Sequence, residues 1–186
     1  MIDEHDIEVV VETLNNAKVK WVLIGAHAIG ILTQPRATVD YDFIVEGQKI
    51  KQVIHMLETR FQRNLEVEDS GAGVTLRAID VDIIASTSHP VFKAAIEGVN
   101  QIAGWNVPSL EKLIVLKFMS MISPWRGRSK RTQDLADLQK LYLSIDRNDL
   151  DVDEMANLAA TVYPRADEGF VDLLNSIDNG EPIEIP

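Results

Sequence analysis

The stretch 36-RATVDYDFIVEG-47 places two aspartates, Asp40 and Asp42, one residue apart in a segment whose Val, Tyr, Phe and Ile residues are typical of a β-strand. Residues two apart on a strand point to the same face, with Cα atoms about 6.6 Å apart. Carboxylates that close repel each other, and each is costly to bury. A divalent cation removes that cost, and Mg2+ prefers carboxylate oxygens together with substrate phosphates. The pair therefore predicts a metal site; the alternative is a solvated acidic edge strand that resists aggregation.

A glycine turn ahead of the pair favours the metal site over the edge strand. Residues 19–25, VKWVLIG, predict a buried strand, and residues 26–32, AHAIGIL, predict a short helix directly after it. The first N–H groups of this helix, near Gly25 and Ala26, are free to bind a phosphate at the positive end of the helix dipole. For Gly25 taken alone, a plain strand-to-helix turn is the alternative.

A third carboxylate is expected from the strand predicted at residues 78–85, which contains IDVDIIA. Asp80 and Asp82 would share one face of this strand. Asp82 is preferred because it leads directly into two isoleucines. Together with Asp40 and Asp42, it would complete a two-metal arrangement.

The rest of the sequence predicts a mixed α/β fold followed by helices. Helices are predicted at residues 7–14, 48–60 and 89–98, a strand at 38–45, a hairpin at 64–77 and an extended piece at 102–109. From Ser109, a favourable N-cap, further helices are predicted at 109–122, at 130–145 and within 151–177. We therefore expect a small mixed sheet flanked by helices over residues 1–107 and a helical region over residues 108–186.

The composition narrows the classes of function. The chain has no cysteine, which excludes disulfides, thiolate metal sites and cysteine nucleophiles. Its start is acidic and no apolar run reaches the roughly 20 residues needed to cross a bilayer, so we expect a cytoplasmic protein without a membrane segment. The formal net charge of -11 argues against a general nucleic-acid coat. One local exception is 125-WRGRSKR-131, whose four basic residues leave a charge of -15 on the rest of the chain.

The run 21-WVLIGAHAIGILTQPRATVDYDFIV-45 resembles the nucleotidyltransferase superfamily of the DNA polymerase β type. The resemblance is to the bacterial branch that contains the AbiEii-like toxins of type IV abortive-infection systems. That family combines a hydrophobic strand, a turn of small residues, an R-x-T motif, a D-x-D pair and a later third carboxylate. The corresponding residues are Gly25-Ala26, Arg36-Ala37-Thr38, Asp40-Tyr41-Asp42 and Asp82. The resemblance extends over about residues 20–140, and its later motifs are Lys117 and the run of Arg131, Asp134 and Asp137.

The resemblance implies metal-dependent transfer of a nucleoside monophosphate from a nucleoside triphosphate (NTP) to a hydroxyl group, with release of pyrophosphate. Asp40 and Asp42 would hold Mg2+ or Mn2+ at the triphosphate, and Asp82 would share a second ion. Asp82 would also take up the proton of the acceptor hydroxyl. The N–H groups of Gly25 and Ala26 would orient the phosphates.

Further residues receive roles from the same resemblance. Arg36 and Lys117 would balance the charge of the triphosphate, and Thr38 is expected to shape the loop beside it. As alternatives, Arg36 pairs with an acidic neighbour and Lys117 extends to solvent. The basic residues are expected either to form a solvated loop or to contact phosphates or an RNA acceptor such as tRNA; they are Arg126, Arg128, Lys130 and Arg131.

Five other residues are expected to have structural roles. Asp134 and Asp137 share a helix face, on which they are predicted to pair with the basic loop. A substrate role for these two aspartates is the alternative. His27 is predicted to be structural, with an approach to a nucleotide as the alternative, and Trp105 and Trp125 are predicted to be core or packing residues.

The sequence is therefore consistent with two functions. The first is an active nucleotidyltransferase that acts on RNA, protein or a small molecule, as a toxin with an antitoxin partner or as another enzyme. The second is a catalytically silent relative that binds a nucleotide or a partner protein. The three carboxylates favour the first function. The second is favoured by Ala26, which replaces the Gly or Ser of the family turn and lacks a hydroxyl for the phosphates.

Overall fold

The computed structural model describes residues 4–185, so residues 1–3 and 186 of the two predicted regions lie outside it. Within these residues the helices are α1 (Glu4–Asn16), α2 (Gly25–Leu32), α3 (Ile50–Phe61), α4 (Pro90–Ala95), α5 (Leu110–Ile122), α6 (Arg128–Tyr142), α7 (Val152–Ala159) and α8 (Ala166–Asn179). The strands are β1 (Trp21–Ile24), β2 (Tyr41–Val45), β3 (Val67–Asp69), β4 (Gly73–Leu76), β5 (Val81–Ala85), β6 (Asn100–Ile102) and β7 (Trp105–Val107). This content confirms the predicted mixed α/β class.

A five-stranded mixed sheet in the order β1-β2-β5-β4-β3 forms the centre of the fold. Strand β2 pairs antiparallel with β1 and parallel with β5, while β4 pairs antiparallel with both β5 and β3. The register sets Asp42 beside Ile24 on one side and beside Asp82 on the other. The two predicted carboxylate strands are therefore direct neighbours.

The helices extend the core of the sheet into the C-terminal region. All four residues of β1 are buried, as expected for a strand that packs on both faces. Helix α5 is buried over most of its length and packs against α4, α6 and α7. The rings of Phe118 and Phe170 meet edge to face at 5.0 Å and connect α5 to α8. A single cluster of buried residues thus runs through both regions, and their division near Pro108 stays a prediction.

Two predicted strands begin three residues too early. Strand β2 begins at Tyr41 rather than at residue 38, because β1 ends at Ile24 and offers no partner to the earlier residues. Asp40 therefore lies just before the strand. Strand β5 begins at Val81 rather than at residue 78, because a short 3-10 turn precedes it and Asp80 has a φ of +46°. Asp80 and Asp82 consequently do not share a strand face.

Two further segments differ from the prediction. The extended piece at residues 102–109 belongs to a hairpin of β6 and β7, whose turn has positive φ angles at Ala103 and Gly104. The basic segment is a loop only in part, because α6 begins at Arg128.

The predicted N-cap is confirmed, since the Ser109 hydroxyl accepts a hydrogen bond from the Lys112 N–H. Across residues 4–185 no helix has the length and apolar character that a membrane span requires.

Candidate active site

Asp42 and Asp82 lie side by side in the sheet, because β2 and β5 pair in parallel with these residues in register. Neighbouring strands are about 4.8 Å apart, so the two carboxylates start from adjacent backbones. The Oδ1 atom of Asp82 is buried and accepts no hydrogen bond from any residue that the structure describes. A buried oxygen without a donor is costly, and a ligand at this position would remove that cost.

The glycine turn lies directly against the Asp42 carboxylate. Gly25 is the first residue of α2 and has a φ of +68°, a conformation that favours glycine. A Cβ atom at this position would lie 2.0 Å from Asp42 Oδ2, so no other residue fits without moving the carboxylate. No side chain caps the start of α2 within the described chain. The free N–H groups at the start of α2 therefore lie next to the carboxylate of Asp42 on β2.

Asp40 lies beside this pair, in the segment before β2. The Thr38 hydroxyl donates a hydrogen bond of 2.6 Å to Asp40 Oδ1. Burial raises the pKa of Asp40, but this hydrogen bond, a backbone hydrogen bond and nearby positive charge, mainly that of Lys130, together lower it more, so the pKa lies below its usual value. Asp40 therefore stays ionised, and its charge acts on the neighbouring carboxylates.

The pKa of Asp42 is raised to about 7. Burial is the main cause, and the negative charges of Asp40 and Asp82 add to it, while Lys117 and Arg126 oppose it. A divalent cation would reverse this effect, because it would turn the repulsion between the carboxylates into attraction. Residues 4–185 contain no group of three or more His, Asp or Glu side chains already arranged as a metal site. The buried oxygen of Asp82 and the raised pKa of Asp42 nevertheless fit a cation.

A cluster of five charged side chains lies next to the three aspartates and connects them to α6. Lys117 Nζ is 2.9 Å from Asp134 Oδ1 and 2.9 Å from Asp137 Oδ2, and all three residues are buried. Arg36 donates two hydrogen bonds to Asp137, of 3.1 and 3.0 Å. Arg126 donates one of 2.5 Å to Asp134. The cluster contains three cations and two anions, so its net charge is +1 and attracts the carboxylates of Asp40, Asp42 and Asp82.

This pairing confirms one alternative and corrects another. Arg36 does pair with an acidic neighbour, Asp137, although sequence separates them by 101 positions. Asp134 pairs with the basic segment through Arg126 as predicted, but Asp137 pairs with Arg36 and Lys117 instead. The alternative in which Lys117 extends to solvent is wrong, because Lys117 is only 8% exposed.

A cleft of about 600 Å³ opens in front of these residues, within the range usual for small-molecule sites. Its walls come from the glycine turn, β2, α4, α5 and the turn after α5. Among the lining residues are Gly25, Asp42, His89, Lys117, Trp125 and Arg126. The other predicted site residues do not line this cleft within the described chain; they are Ala26, Arg36, Thr38, Asp40, Asp82, Arg128, Lys130 and Arg131.

Two tryptophans behave differently from each other. Trp125 is 95% exposed and is not in the core, because the turn after α5 directs it away from the fold. Trp105 is partly buried and stacks against Tyr41 with ring centroids 6.2 Å apart. Tyr41 also stacks on His27, with ring centroids 3.6 Å apart and an interplanar angle of 6°. This stack fixes α2 against β2 between the two aspartates, and no spacing in the sequence signals it.

A family model described as "Nucleotidyl transferase AbiEii toxin, Type IV TA system" matches residues 11–185. No curated protein is similar enough in sequence to count as a match.

Solved structures of the same architecture exist at low sequence identity. An antigenic nucleotidyltransferase-like protein from Paracoccidioides brasiliensis is 18% identical, with a TM-score of 0.54 over 93% of each chain. The antibiotic-resistance factor ANT(2″)-Ia in solution is 14% identical, with a TM-score of 0.57 over 95% of each chain. Its crystal structure with adenylyl-2″-tobramycin is 15% identical, with a TM-score of 0.55 over 89% of this chain and 95% of that one. At these identities the likeness shows a shared fold.

Gly25→Ala is expected to lose more stability than Gly71→Ala in urea unfolding. Both glycines have a positive φ, which costs an alanine about 1–2 kcal/mol. Only at Gly25 does the new methyl group also collide with Asp42, because nothing lies within 4 Å of a Cβ at Gly71. Equal losses for the two variants would contradict the contact between the turn and the carboxylate.

Asp42→Asn is expected to remove a pH dependence of stability. The folded pKa of Asp42, about 7, lies above the usual value of 3.8, so the folded state binds the extra proton between these values. The wild-type protein should therefore lose stability as the pH rises from 3.8 towards 7, and its stability should level off above that value; the neutral Asn should not show this loss. Thermal unfolding from pH 5 to pH 8, with Asp172→Asn on the exposed surface of α8 as control, measures the difference. Parallel curves for wild type and Asp42→Asn would contradict the raised pKa.

Proposed function

The chain belongs to the AbiEii nucleotidyl transferase family, and we propose that it transfers a nucleoside monophosphate from an NTP to a hydroxyl acceptor with the help of divalent cations. The observation that supports this most directly is the contact of the Asp42 carboxylate with the glycine turn. A carboxylate that can bind a cation and free helix N–H groups that can bind phosphate meet at the edge of one cleft.

Asp40, Asp42 and Asp82 would hold the cations, Mg2+ or Mn2+. Bound there, such ions neutralise the charge of the triphosphate and lower the pKa of an acceptor hydroxyl. The support for this ligand set is electrostatic, since the charges of Asp40 and Asp82 both raise the pKa of Asp42. The unpaired oxygen of Asp82 supports it independently.

The other residues of the cleft would position the triphosphate. The N–H groups of Gly25 and Ala26 donate to its phosphates at the start of α2. Lys117 lines the cleft, and its charge already lowers the pKa of Asp42, so it is close enough to act on a bound anion. Arg36 supports Lys117 indirectly, because both donate to Asp137. Thr38 holds Asp40.

The reaction would proceed by in-line displacement at the α-phosphorus. Asp82 accepts the proton of the acceptor hydroxyl, and the oxygen of that hydroxyl forms a bond to the α-phosphorus. The bond between the α-phosphorus and the oxygen that bridges to the β-phosphate breaks, and pyrophosphate leaves. The acceptor retains the nucleoside monophosphate through a new phosphodiester linkage.

The family description supports a toxin whose activity an antitoxin opposes. The silent relative remains the second candidate, because Ala26 is buried and has no hydroxyl for the phosphates. The backbone N–H groups of the turn do not depend on that side chain. We therefore favour the active enzyme.

In an assay with Mg2+, Asp40→Ala is expected to abolish the transfer of label from α-labelled NTPs to acceptors in total cellular RNA and protein. The loss should exceed the roughly 10- to 100-fold that outer-shell partners of a metal contribute. Stability should be unchanged or higher, because removal of the Asp40 charge relieves repulsion on Asp42.

Asp172→Ala removes an equal charge from the exposed surface of α8 and serves as the matched control. Full transfer by Asp40→Ala would rule out its role as a metal ligand. A wild-type protein that neither transfers label nor binds NTP in a metal-dependent way would favour the silent relative.

The toxin role predicts that induced expression of the wild-type chain stops bacterial growth, whereas Asp40→Ala does not. The reason is that growth arrest would require the chemical step and not only the folded protein. Colony counts after induction, with equal protein levels verified by immunoblot, measure the effect. Arrest by both variants would contradict a catalytic toxin.

A further inference from the structure

Tyr41, the middle residue of the D-x-D motif, is the first residue of β2. Its N–H donates to the Asp80 carbonyl at 3.1 Å, and it pairs with Val81 of β5. The pairing of β1 with β2 ends at Ile24 and Asp42, one residue short of Tyr41. The sheet therefore holds Asp42 from both sides, whereas the orientation of the chain just before it depends on further contacts.

The ring of Tyr41 takes part in two aromatic stacks. In one, the His27 ring of α2 lies 3.6 Å from it between centroids, with an interplanar angle of 6°. In the other, the Trp105 ring of β7 lies 6.2 Å away at an angle of 19°. Ring pairs at such distances attract each other and prefer particular orientations. The two stacks therefore connect the start of β2 to α2 and to the hairpin of β6 and β7.

Both partner rings belong to elements that are held in place by other contacts. Helix α2 begins at Gly25, which lies directly against the Asp42 carboxylate. The hairpin of β6 and β7 packs beside β1, where the Asn106 side chain donates a hydrogen bond of 3.3 Å to the Trp21 carbonyl. The stacks therefore fix the Tyr41 ring against parts of the fold that pack on β1.

His27 acts through the flat face of its ring and not through its buried nitrogen. The Nε2 atom is buried and has no hydrogen-bond partner among the described residues. Burial lowers the pKa of His27, so the ring is uncharged at neutral pH. A nitrogen enclosed by protein does not reach a ligand, and without a partner it lowers stability. The stack is therefore what this side chain contributes to the site.

The orientation of Tyr41 affects the aspartates on both sides of it. Side chains alternate along a strand, so Tyr41 and Asp42 point to opposite faces of β2. A rotation of the backbone at Tyr41 would turn the Asp42 carboxylate and displace Asp40, which precedes the strand. The charge of Asp40 already raises the pKa of Asp42, so the two carboxylates interact. A cation bound to both would lose affinity if their separation changed.

We propose that Tyr41 positions the D-x-D pair, and that its stacks on His27 and Trp105 keep the two carboxylates at the separation that a shared divalent cation requires. The inference rests on the proposed function, in which these carboxylates bind Mg2+ or Mn2+. It assigns part of the cation affinity to three rings that do not line the cleft within the described chain.

Mn2+ binding tests this role without turnover, by the electron paramagnetic resonance signal of free Mn2+ during titration into the nucleotide-free protein. Tyr41→Leu is expected to weaken binding by about 10- to 100-fold, as the loss of an outer-shell partner of a metal site does. Trp105→Leu should weaken binding in the same direction. Tyr41→Phe keeps the ring and should bind Mn2+ as the wild type does.

Two substitutions of His27 separate the ring from its nitrogen. His27→Phe keeps a planar ring against Tyr41 and removes a buried nitrogen without a partner. Its Mn2+ affinity should be that of the wild type, and its melting temperature should be equal or higher. His27→Leu removes the planar ring and should lose Mn2+ affinity as Tyr41→Leu does.

Phe170→Leu in α8 is the control for a general loss of stability. It removes the edge-to-face pair with Phe118 from the buried core and should lower the melting temperature. Its Mn2+ affinity should stay at the wild-type value, because this pair belongs to the helical region. A loss of Mn2+ affinity equal to that of Tyr41→Leu would assign the effect to stability and overturn the inference.

Two further results would overturn the inference alone. Wild-type Mn2+ affinity in Tyr41→Leu would show that the stacks do not position the carboxylates. Equal losses in His27→Phe and His27→Leu would show that the nitrogen matters and the ring face does not. Failure of the proposed function is seen separately: the wild type would bind no Mn2+, or would bind it equally well after Asp82→Ala, and the inference would fail with it.

Discussion

The crowding of negative charge at the ends of two parallel strands is the constraint on which the rest of the site depends. Asp42 and Asp82 are held in register by the sheet, so neither can move away from the other without disturbing the strand pairing. Gly25 confines Asp42 from the third side. The backbone therefore fixes an arrangement that is electrostatically unfavourable by itself and that a bound cation would make favourable.

The cluster of Lys117, Arg36, Arg126, Asp134 and Asp137 offsets part of the repulsion between the aspartates, because its net positive charge lies beside them. Lys117 stands inside α5, between the sheet and α6, and shares two aspartates with two arginines. Such buried networks contribute to specificity only when every member has partners, which is the case for the lysine and for both of its aspartates. Since the cluster contains residues of the R-x-T loop, α5 and α6, it aligns the helical region with the carboxylate strands.

Much of the fold follows from local patterns in the sequence, and much of the site does not. The strand with Asp42 and the helix with Lys117 were predictable because apolar spacing identifies each element. The early start assigned to β2 was wrong, since strand length depends on the partner, and β1 ends at Ile24. The prediction of Trp125 as a core or packing residue was wrong, because an apolar side chain does not reveal which neighbours it will have. The stack of His27 on Tyr41 and the pairing of Arg36 with Asp137 depend on tertiary contacts that no local pattern encodes.

The ion pair between Arg36 and Asp137 also limits when the charged cluster can form during synthesis of the chain. The two residues are separated by 101 positions, so the R-x-T loop has no buried partner until α6 has left the ribosome. At about 5–20 residues per second, that interval is roughly 5–20 s of synthesis. A nascent chain thus contains the glycine turn and all three aspartates well before they can be locked together. The charged cluster that aligns the helical region with the carboxylate strands therefore forms only after Asp137 has been synthesised.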